Sequence, residues 1–159
     1  MALAIVMTLP GMAIAVVHNT VLVHGGNIDR SIWSGVYDRL TTRNYDVAVT
    51  QLPMISVEND VAAVQRSLDL QDGPVLLLAH SYGCVVITEA AVNPDVKGLV
   101  DVTAFQPDIG EIGRDLLTPA GSDFTADKLS ITDDGFLLVD DDAFLTLAGT
   151  AFRRKTPSS

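Results

Sequence analysis

Residues 75–83, VLLLAHSYG, decide the fold of this chain. The apolar run 75–79 predicts a strand of a parallel sheet that is buried on both faces, and residues 82–92 predict the helix that follows it. A serine between such a strand and helix lies on a sharp turn. Its side chain projects from the edge of the sheet, and the amino terminus of the helix points toward it. Ser81 is therefore the candidate nucleophile.

The two residues that flank this turn are small, as the geometry requires. Larger side chains two positions before or after the serine would collide, and Ala79 and Gly83 occupy those positions. The pattern small-x-Ser-x-Gly arises often by chance, so the rest of the chain has to supply the context.

Short apolar runs alternate with helical patterns through the first two thirds of the chain, which predicts a doubly wound, mostly parallel α/β sheet. Ser56 is a good N-cap for the second helix, with Glu58 in its first turn. The predicted strands are residues 20–24, 45–50, 75–79 and 98–105, and the predicted helices are residues 31–44, 56–68 and 82–92.

The pattern changes after Pro107. Residues 129–139 alternate around Asp133-Asp134-Gly135, which predicts a small hairpin, and residues 142–148 predict a short helix. This stretch cannot extend the parallel sheet, so residues 109–148 are interpreted as a reduced lid over it.

The loop at residues 24–27, HGGN, offers the second part of a serine-nucleophile site. An oxyanion hole needs one backbone N–H after the nucleophile and another from the loop after a different strand. The first and third strands of a doubly wound sheet are expected to be neighbours, with the ligand crevice at their carboxyl ends. We therefore expect the N–H groups of Gly26 and Tyr82 to be the oxyanion donors. Gly25, Asn27 and His80 are expected to line the substrate pocket.

Four blocks of the sequence resemble successive blocks of the α/β-hydrolase superfamily, most closely its small bacterial hydrolases near the esterase and hydroxynitrile-lyase-like branch. They are residues 21–26 (VLVHGG), 45–53, 72–83 (DGPVLLLAHSYG) and 99–108 (LVDVTAFQPD), and the similarity extends over about residues 19–145. The resemblance implies a serine hydrolase of ester or related acyl bonds that forms an acyl intermediate on Ser81. It also implies a catalytic Asp or Glu and then a His later in the chain.

The sequence departs from that family pattern at the base. Its three histidines, His18, His24 and His80, all precede Ser81. We interpret residues 1–159 as a single, partial α/β-hydrolase domain that is truncated after about the fourth parallel strand, with the acid and the base of the triad absent. The alternative is a non-catalytic remnant or a small-molecule binding module. His24 is expected to make a structural hydrogen bond, and Asp108 to be a solvated loop carboxylate rather than an alternative acid.

Composition excludes several classes of protein. Twenty acidic against ten basic residues give a net charge of −10, which argues against nucleic acid as a partner. Cys84 is the only cysteine, so the chain has no internal disulfide and no zinc site built on cysteines. We expect Cys84 to be a small buried filler. No metal or organic cofactor is implied, and the expected partner is a small-molecule ester or acyl substrate.

The first seventeen residues are apolar. They fall short of the roughly 20 residues of a membrane span, and Pro10-Gly11 would break a helix there. Ala13-Ile14-Ala15 resembles a signal-peptide cleavage site, but the positive n-region is missing, so a buried edge strand or a misassigned start is the favoured interpretation. A cytoplasmic location is therefore expected, with export as the alternative if residues 1–15 act as a signal. The fourth strand is expected to be an exposed edge through which the chain self-associates.

Overall fold

The computed structural model describes residues 17–104, 106–111, 129–134 and 136–140. The chain divides into two compact units, residues 1–110 and 111–159. The first unit contains a sheet of four parallel strands in the order β2-β1-β3-β4, which confirms the predicted doubly wound parallel sheet. The strands are β1 (Asn19–Val23), β2 (Asp46–Thr50), β3 (Val75–His80) and β4 (Val96–Val102).

The first and third strands are neighbours, as predicted. Val21 of β1 is paired with Ala48 of β2 on one side and with Leu77 of β3 on the other. On the far side of β3, Ala79 is paired with Asp101 of β4. Because all four strands are parallel, their carboxyl ends lie along one edge, and Ser81 follows β3 directly at that edge.

Three α-helices connect the strands: α1 (Ser34–Thr41), α2 (Val57–Leu68) and α3 (Gly83–Ala90). The helix predicted from Ser31 to Asn44 is wrong in its bounds. Asp29 accepts the Ser31 N–H at 2.7 Å and starts a 3₁₀ helix over Arg30–Trp33, and α1 follows it. The predicted cap of α2 is confirmed, since the Ser56 hydroxyl accepts the Asn59 N–H at 3.3 Å.

Two other boundaries differ from the prediction. The helix predicted at residues 82–92 stops at Ala90. The strand predicted at residues 98–105 spans Val96–Val102 instead, because Thr103 has a φ of 50° and leaves the extended conformation. A left-handed residue cannot continue a parallel ladder.

The main core cluster lies on one face of the sheet, although β1 is buried on both faces. Val75, Leu77 and Ala79 of β3 are buried, whereas Leu76, Leu78 and His80 on the opposite face are only partly buried, so the expectation that both faces are fully covered is wrong for β3. The core cluster joins the sheet to α2 and α3, and its members are Val21, Val23, Leu52, Val64, Leu68, Val75, Leu77, Ala79, Cys84, Val86, Ile87 and Ala90.

The edge strand β4 remains accessible. Leu99, Val100 and Val102 are each more than a third exposed, and within the described residues no strand pairs with the outer side of β4. The unpaired N–H and C=O groups of such an edge can pair with another chain.

In the second unit, β5 (Leu129–Ile131) and β6 (Leu137–Val139) form an antiparallel hairpin, which confirms that prediction. Its turn is closed by the N–H of Thr132, which donates to the Phe136 carbonyl at 2.9 Å. The predicted helix at residues 142–148 and the apolar residues 1–15 lie outside the described residues. No helix in the described part of the chain has the length and hydropathy needed to cross a bilayer.

Candidate active site

Ser81 lies on a strained turn between β3 and α3. Its φ is 51°, in the left-handed region that residues other than glycine rarely adopt, and the residue is exposed. Such a conformation costs about 1–3 kcal/mol and persists only where neighbours hold it. The Ser81 N–H donates to the Val102 carbonyl of β4 at 3.3 Å, and its carbonyl accepts the Cys84 N–H at 2.9 Å. The turn therefore presents the serine at the carboxyl edge of the sheet.

The need for small residues around this turn is visible in the packing. A Cβ on Gly83 would lie 2.6 Å from the His24 carbonyl oxygen and 3.0 Å from that of Val23. It would also lie 3.3 Å from the Cβ of Ala79. Two positions from Ser81 on either side, the chain thus has no room for a larger side chain.

The glycine loop after β1 packs directly against this turn. A Cβ on Gly25 would lie 2.8 Å from Nδ1 of His80 and 3.0 Å from the Cβ of Ser81. The equivalent position on Gly26 is 3.8 Å from the Cβ of Tyr82. The structure therefore brings the predicted site residues Gly25, Gly26, His80, Ser81 and Tyr82 together.

The backbone N–H groups of Gly26 and Tyr82 lie in this cluster. Within the described residues, neither N–H donates to a partner. Asn27, the remaining predicted pocket residue, is exposed next to Gly26.

Strained backbone is concentrated at this edge of the sheet. The loop after each of the four strands contains one left-handed residue that is not glycine: Asn27, Met54, Ser81 and Thr103, with φ values of 58°, 57°, 51° and 50°. Among the described residues only one other such case occurs, Asn44, which follows α1. Left-handed residues of this kind cluster where a site is held in a fixed geometry.

His24 makes structural hydrogen bonds, as expected. It is fully buried, and its Nε2 accepts the N–H of Leu52 at 3.0 Å and the side-chain amide of Gln51 at 2.9 Å. Since Leu52 N–H can only donate, the ring proton lies on Nδ1, which is 2.8 Å from the Gly25 carbonyl oxygen. Both ring nitrogens are in use, so His24 ties the loops after β1 and β2 together and cannot serve as a base.

The other two histidines make no hydrogen bond to Ser81. His18 precedes β1 and lies against Tyr45 in a tilted arrangement, with ring centroids 5.9 Å apart, at the edge of the sheet opposite Ser81. Burial lowers the pKa of His80, and its Nδ1 is buried without a hydrogen-bond partner in the described residues. The Ser81 hydroxyl likewise has no partner among the described residues. Nothing in this part of the chain is placed to take its proton.

Asp60 is a site residue that sequence reasoning missed. Its carboxylate is buried on α2, with 1% of its surface exposed, and accepts the Met54 N–H at 2.8 Å and the Tyr82 hydroxyl at 2.7 Å. Burial is the larger cause that raises the pKa of Tyr82, and the hydrogen bond to Asp60 is the second. One signal in the sequence could have found it: Asp60 lies three and four positions before Ala63 and Val64, on the face of α2 that the structure buries.

The sequence also makes predictions for Cys84 and Asp108. Cys84 is buried, as expected, and burial followed by the nearby Asp101 raises its thiol pKa to about 12. A thiol of this kind stays protonated and unreactive at neutral pH. Asp108 is exposed, consistent with the loop carboxylate expected for it.

The described residues contain no cluster of three His, Cys, Asp or Glu side chains that could hold a metal ion. A cavity of about 380 Å³ is lined by Arg30, Ser31, Ser34, Tyr37 and Val49, none of which is a predicted site residue. Tyr37 therefore forms part of a pocket wall, while Trp33 is buried.

A parallel sheet, a left-handed serine between strand and helix, and a glycine loop beside it are together the arrangement expected of the α/β-hydrolase fold. Residues 20–157 match the model of the alpha/beta hydrolase family, and the chain belongs to that family. A search of curated protein sequences gave no match.

Similar solved structures are pyrethroid hydrolases. A substituted form of PytH is 23% identical with a TM-score of 0.73, and the alignment covers 91% of this chain and 65% of PytH. PytH with BIF is 22% identical with a TM-score of 0.74, and the alignment covers 91% of this chain and 66% of PytH. The pyrethroid hydrolase of Sphingobium faniae JZ-2 is 24% identical with a TM-score of 0.66, and the alignment covers 91% of this chain and 64% of that hydrolase. At these identities the likeness concerns the fold, and this chain spans just under two thirds of the length of those hydrolases.

Proposed function

We propose that this chain carries the nucleophile and the oxyanion hole of a serine hydrolase that acts on ester or related acyl bonds. The observation that carries the proposal is the packing of the Gly25-Gly26 loop against Ser81 and Tyr82, where the N–H groups of Gly26 and Tyr82 donate to no partner among the described residues. Family membership and the left-handed φ of Ser81 support it.

In this reaction the Ser81 hydroxyl oxygen attacks the acyl carbon, and the N–H groups of Gly26 and Tyr82 stabilise the negative charge that develops on the former carbonyl oxygen. Collapse of the tetrahedral intermediate expels the alcohol and leaves an acyl group on Ser81. Water then hydrolyses this ester and regenerates the serine. Gly25, Asn27 and His80 line the acyl or alcohol pocket.

A base has to accept the serine proton, and no histidine follows Ser81 in the 159 residues. Without a base, a serine hydroxyl is a weak nucleophile at neutral pH. Loss of a triad member leaves only the contribution of binding and the oxyanion hole, typically about a thousandfold or more over water. We therefore expect this chain alone to react slowly.

The lack of a histidine after Ser81 also favours a second candidate, a small-molecule binding module of the cytoplasm that keeps the pocket without turnover. His24 has both ring nitrogens occupied, and the Ser81 hydroxyl has no partner among the described residues. The two candidates differ in whether Ser81 becomes covalently modified.

A fluorophosphonate probe separates them, because phosphonylation requires both the nucleophile and the oxyanion hole. The expected result is slow labelling of the wild-type chain, lost in Ser81→Ala and retained in Ser34→Ala, which removes an exposed serine of α1. Labelling that persists in Ser81→Ala would refute the assignment of the nucleophile. A wild-type chain that is never labelled would refute the hydrolase and favour the binding module.

A further inference from the structure

The two residues that flank Gly26 of the proposed oxyanion hole both bind one buried carboxylate, that of Asp60. Gly26 is flanked by Tyr82, whose Cβ is 3.8 Å from the Cβ position of the glycine, and by Met54, whose Cε is 3.9 Å from it. Asp60 binds both flanking residues, through Oδ1 to the Met54 N–H and through Oδ2 to the Tyr82 hydroxyl. These contacts join the loop after β2, helix α2 and the start of α3.

The two hydrogen bonds of Asp60 restrain the backbone of Met54 and the side chain of Tyr82. Met54 is held in the left-handed region, with a φ of 57°, and the hydrogen bond to Asp60 fixes its N–H in that conformation. Tyr82 is the residue whose backbone N–H is the proposed donor. Its ring is anchored at the far end by a hydrogen bond of 2.7 Å to the carboxylate. A charged acceptor makes the stronger class of hydrogen bond, and burial of Asp60 excludes competing water.

A charged group is also an expensive choice for a buried position whose only task is packing. An apolar side chain on this stripe of α2 would join Ala63, Val64 and Leu68 without the cost of desolvating a carboxylate. The two oxygens of Asp60 are instead directed at the two residues that flank Gly26.

We propose that Asp60 is a positioning residue that holds the two oxyanion donors of Gly26 and Tyr82 at their separation. This inference rests on the proposed function for its catalytic consequence. Asp60 acts through Tyr82 and Met54 and touches no substrate. Because an oxyanion hole stabilises charge that develops only in the transition state, a shift of its donors lowers the rate of the chemical step and leaves reversible binding unchanged.

The test compares Asp60→Asn, Tyr82→Phe and the double variant with a matched control, Glu58→Gln, in the full 159-residue chain. Asparagine keeps the size of the side chain and an acceptor for Met54, and removes the charged acceptor for the tyrosine. Glu58 is an exposed carboxylate in the first turn of the same helix, so its loss changes the local charge and leaves both hydrogen bonds of Asp60 in place. Circular dichroism first establishes which variants are folded.

Fluorophosphonate labelling is resolved into the reversible constant KI and the rate constant of phosphonylation. We expect Asp60→Asn to lower the rate constant roughly 10–100-fold, less than the loss of a whole donor, with KI within about twofold of wild type. Glu58→Gln should match wild type. The double variant should be no slower than Asp60→Asn, because both changes remove one shared interaction. A general weakening of the fold would not separate the rate constant from KI.

Two outcomes would overturn the inference: an unchanged rate constant in Asp60→Asn, or additive losses in the double variant. If Asp60→Asn does not fold, Tyr82→Phe removes the same hydrogen bond from the other side and is expected to show the same split. An unchanged rate constant in that variant is then the refuting result.

A wild-type chain that resists labelling would count against the proposed function, and the positioning role is then measured by backbone amide chemical shifts. Asp60→Asn should move the amide resonances of both Gly26 and Tyr82, with Glu58→Gln leaving them in place. If the Gly26 resonance is unmoved in Asp60→Asn, the carboxylate does not position the donor pair.

Discussion

Replacing Gly83 by alanine tests the packing on which the site depends. Gly83 is the first residue of α3, and a Cβ there would lie 2.6 Å from the His24 carbonyl oxygen and 3.0 Å from that of Val23. Both are backbone atoms of the β1 end, so neither can move aside by a change of rotamer. The helix has to shift away from the sheet, or the glycine loop has to move.

The magnitude follows from two opposing effects. Overpacking of this kind costs typically about 1–3 kcal/mol, and a contact as short as 2.6 Å against backbone belongs at the upper end. Replacing glycine by alanine in a helix returns up to about 1 kcal/mol, less at the first position. We expect a net loss of about 2 kcal/mol and a fall in Tm of roughly 4–8 °C.

Gly35→Ala is the matched control, because Gly35 lies in the first turn of α1 and its Cβ would meet nothing within 4 Å. Alanine there should raise the free energy of unfolding by about 0.5–1 kcal/mol. Urea and thermal unfolding followed by circular dichroism measure both variants. If Gly83→Ala is as stable as Gly35→Ala, the close approach of α3 to the end of β1 is wrong, and the proposed site loses its geometry.

Three further predictions concern the surroundings of the site. Burial and Asp101 raise the pKa of the Cys84 thiol to about 12, so iodoacetamide at pH 8 should leave Cys84 unmodified in the folded chain and alkylate it in urea; alkylation at equal rates would contradict this burial. His24→Ala leaves the N–H of Leu52 without its acceptor and opens a cavity, so urea unfolding should show a loss of about 2–4 kcal/mol, and a loss below 1 kcal/mol would refute the structural role. The exposed edge of β4 should cause concentration-dependent self-association in light scattering, reduced by Val100→Lys; a monodisperse wild-type monomer would argue against it.

The sheet and the turn at Ser81 were predictable because their signals are local. The apolar run of β3, the small residues Ala79 and Gly83, and the glycine pair after β1 each occupy a few consecutive positions. Neighbouring of β1 and β3 then followed from the general rules of doubly wound sheets.

The interactions that hold the site were not predictable in the same way. The spacing of Asp60 to Ala63 and Val64 indicates a buried face of α2, but it does not identify Tyr82, 22 positions away, as the partner. The left-handed conformations of Met54 and Thr103 also arise from tertiary contacts, because neither residue type favours positive φ. Such features depend on which loops meet at the sheet edge, and a single sequence does not encode that directly.

The hydrogen bond from the Ser81 N–H to the Val102 carbonyl at 3.3 Å links the serine turn to the outermost strand. Edge strands are commonly among the first elements to open in local unfolding. Fraying of β4 would therefore release the Ser81 amide while the inner strands stay intact. Hydrogen exchange should show the Ser81 amide exchanging together with the amides of β4, well before those of β1. The lifetime of the left-handed Ser81 turn is then set by the edge strand β4 rather than by the inner strands of the sheet.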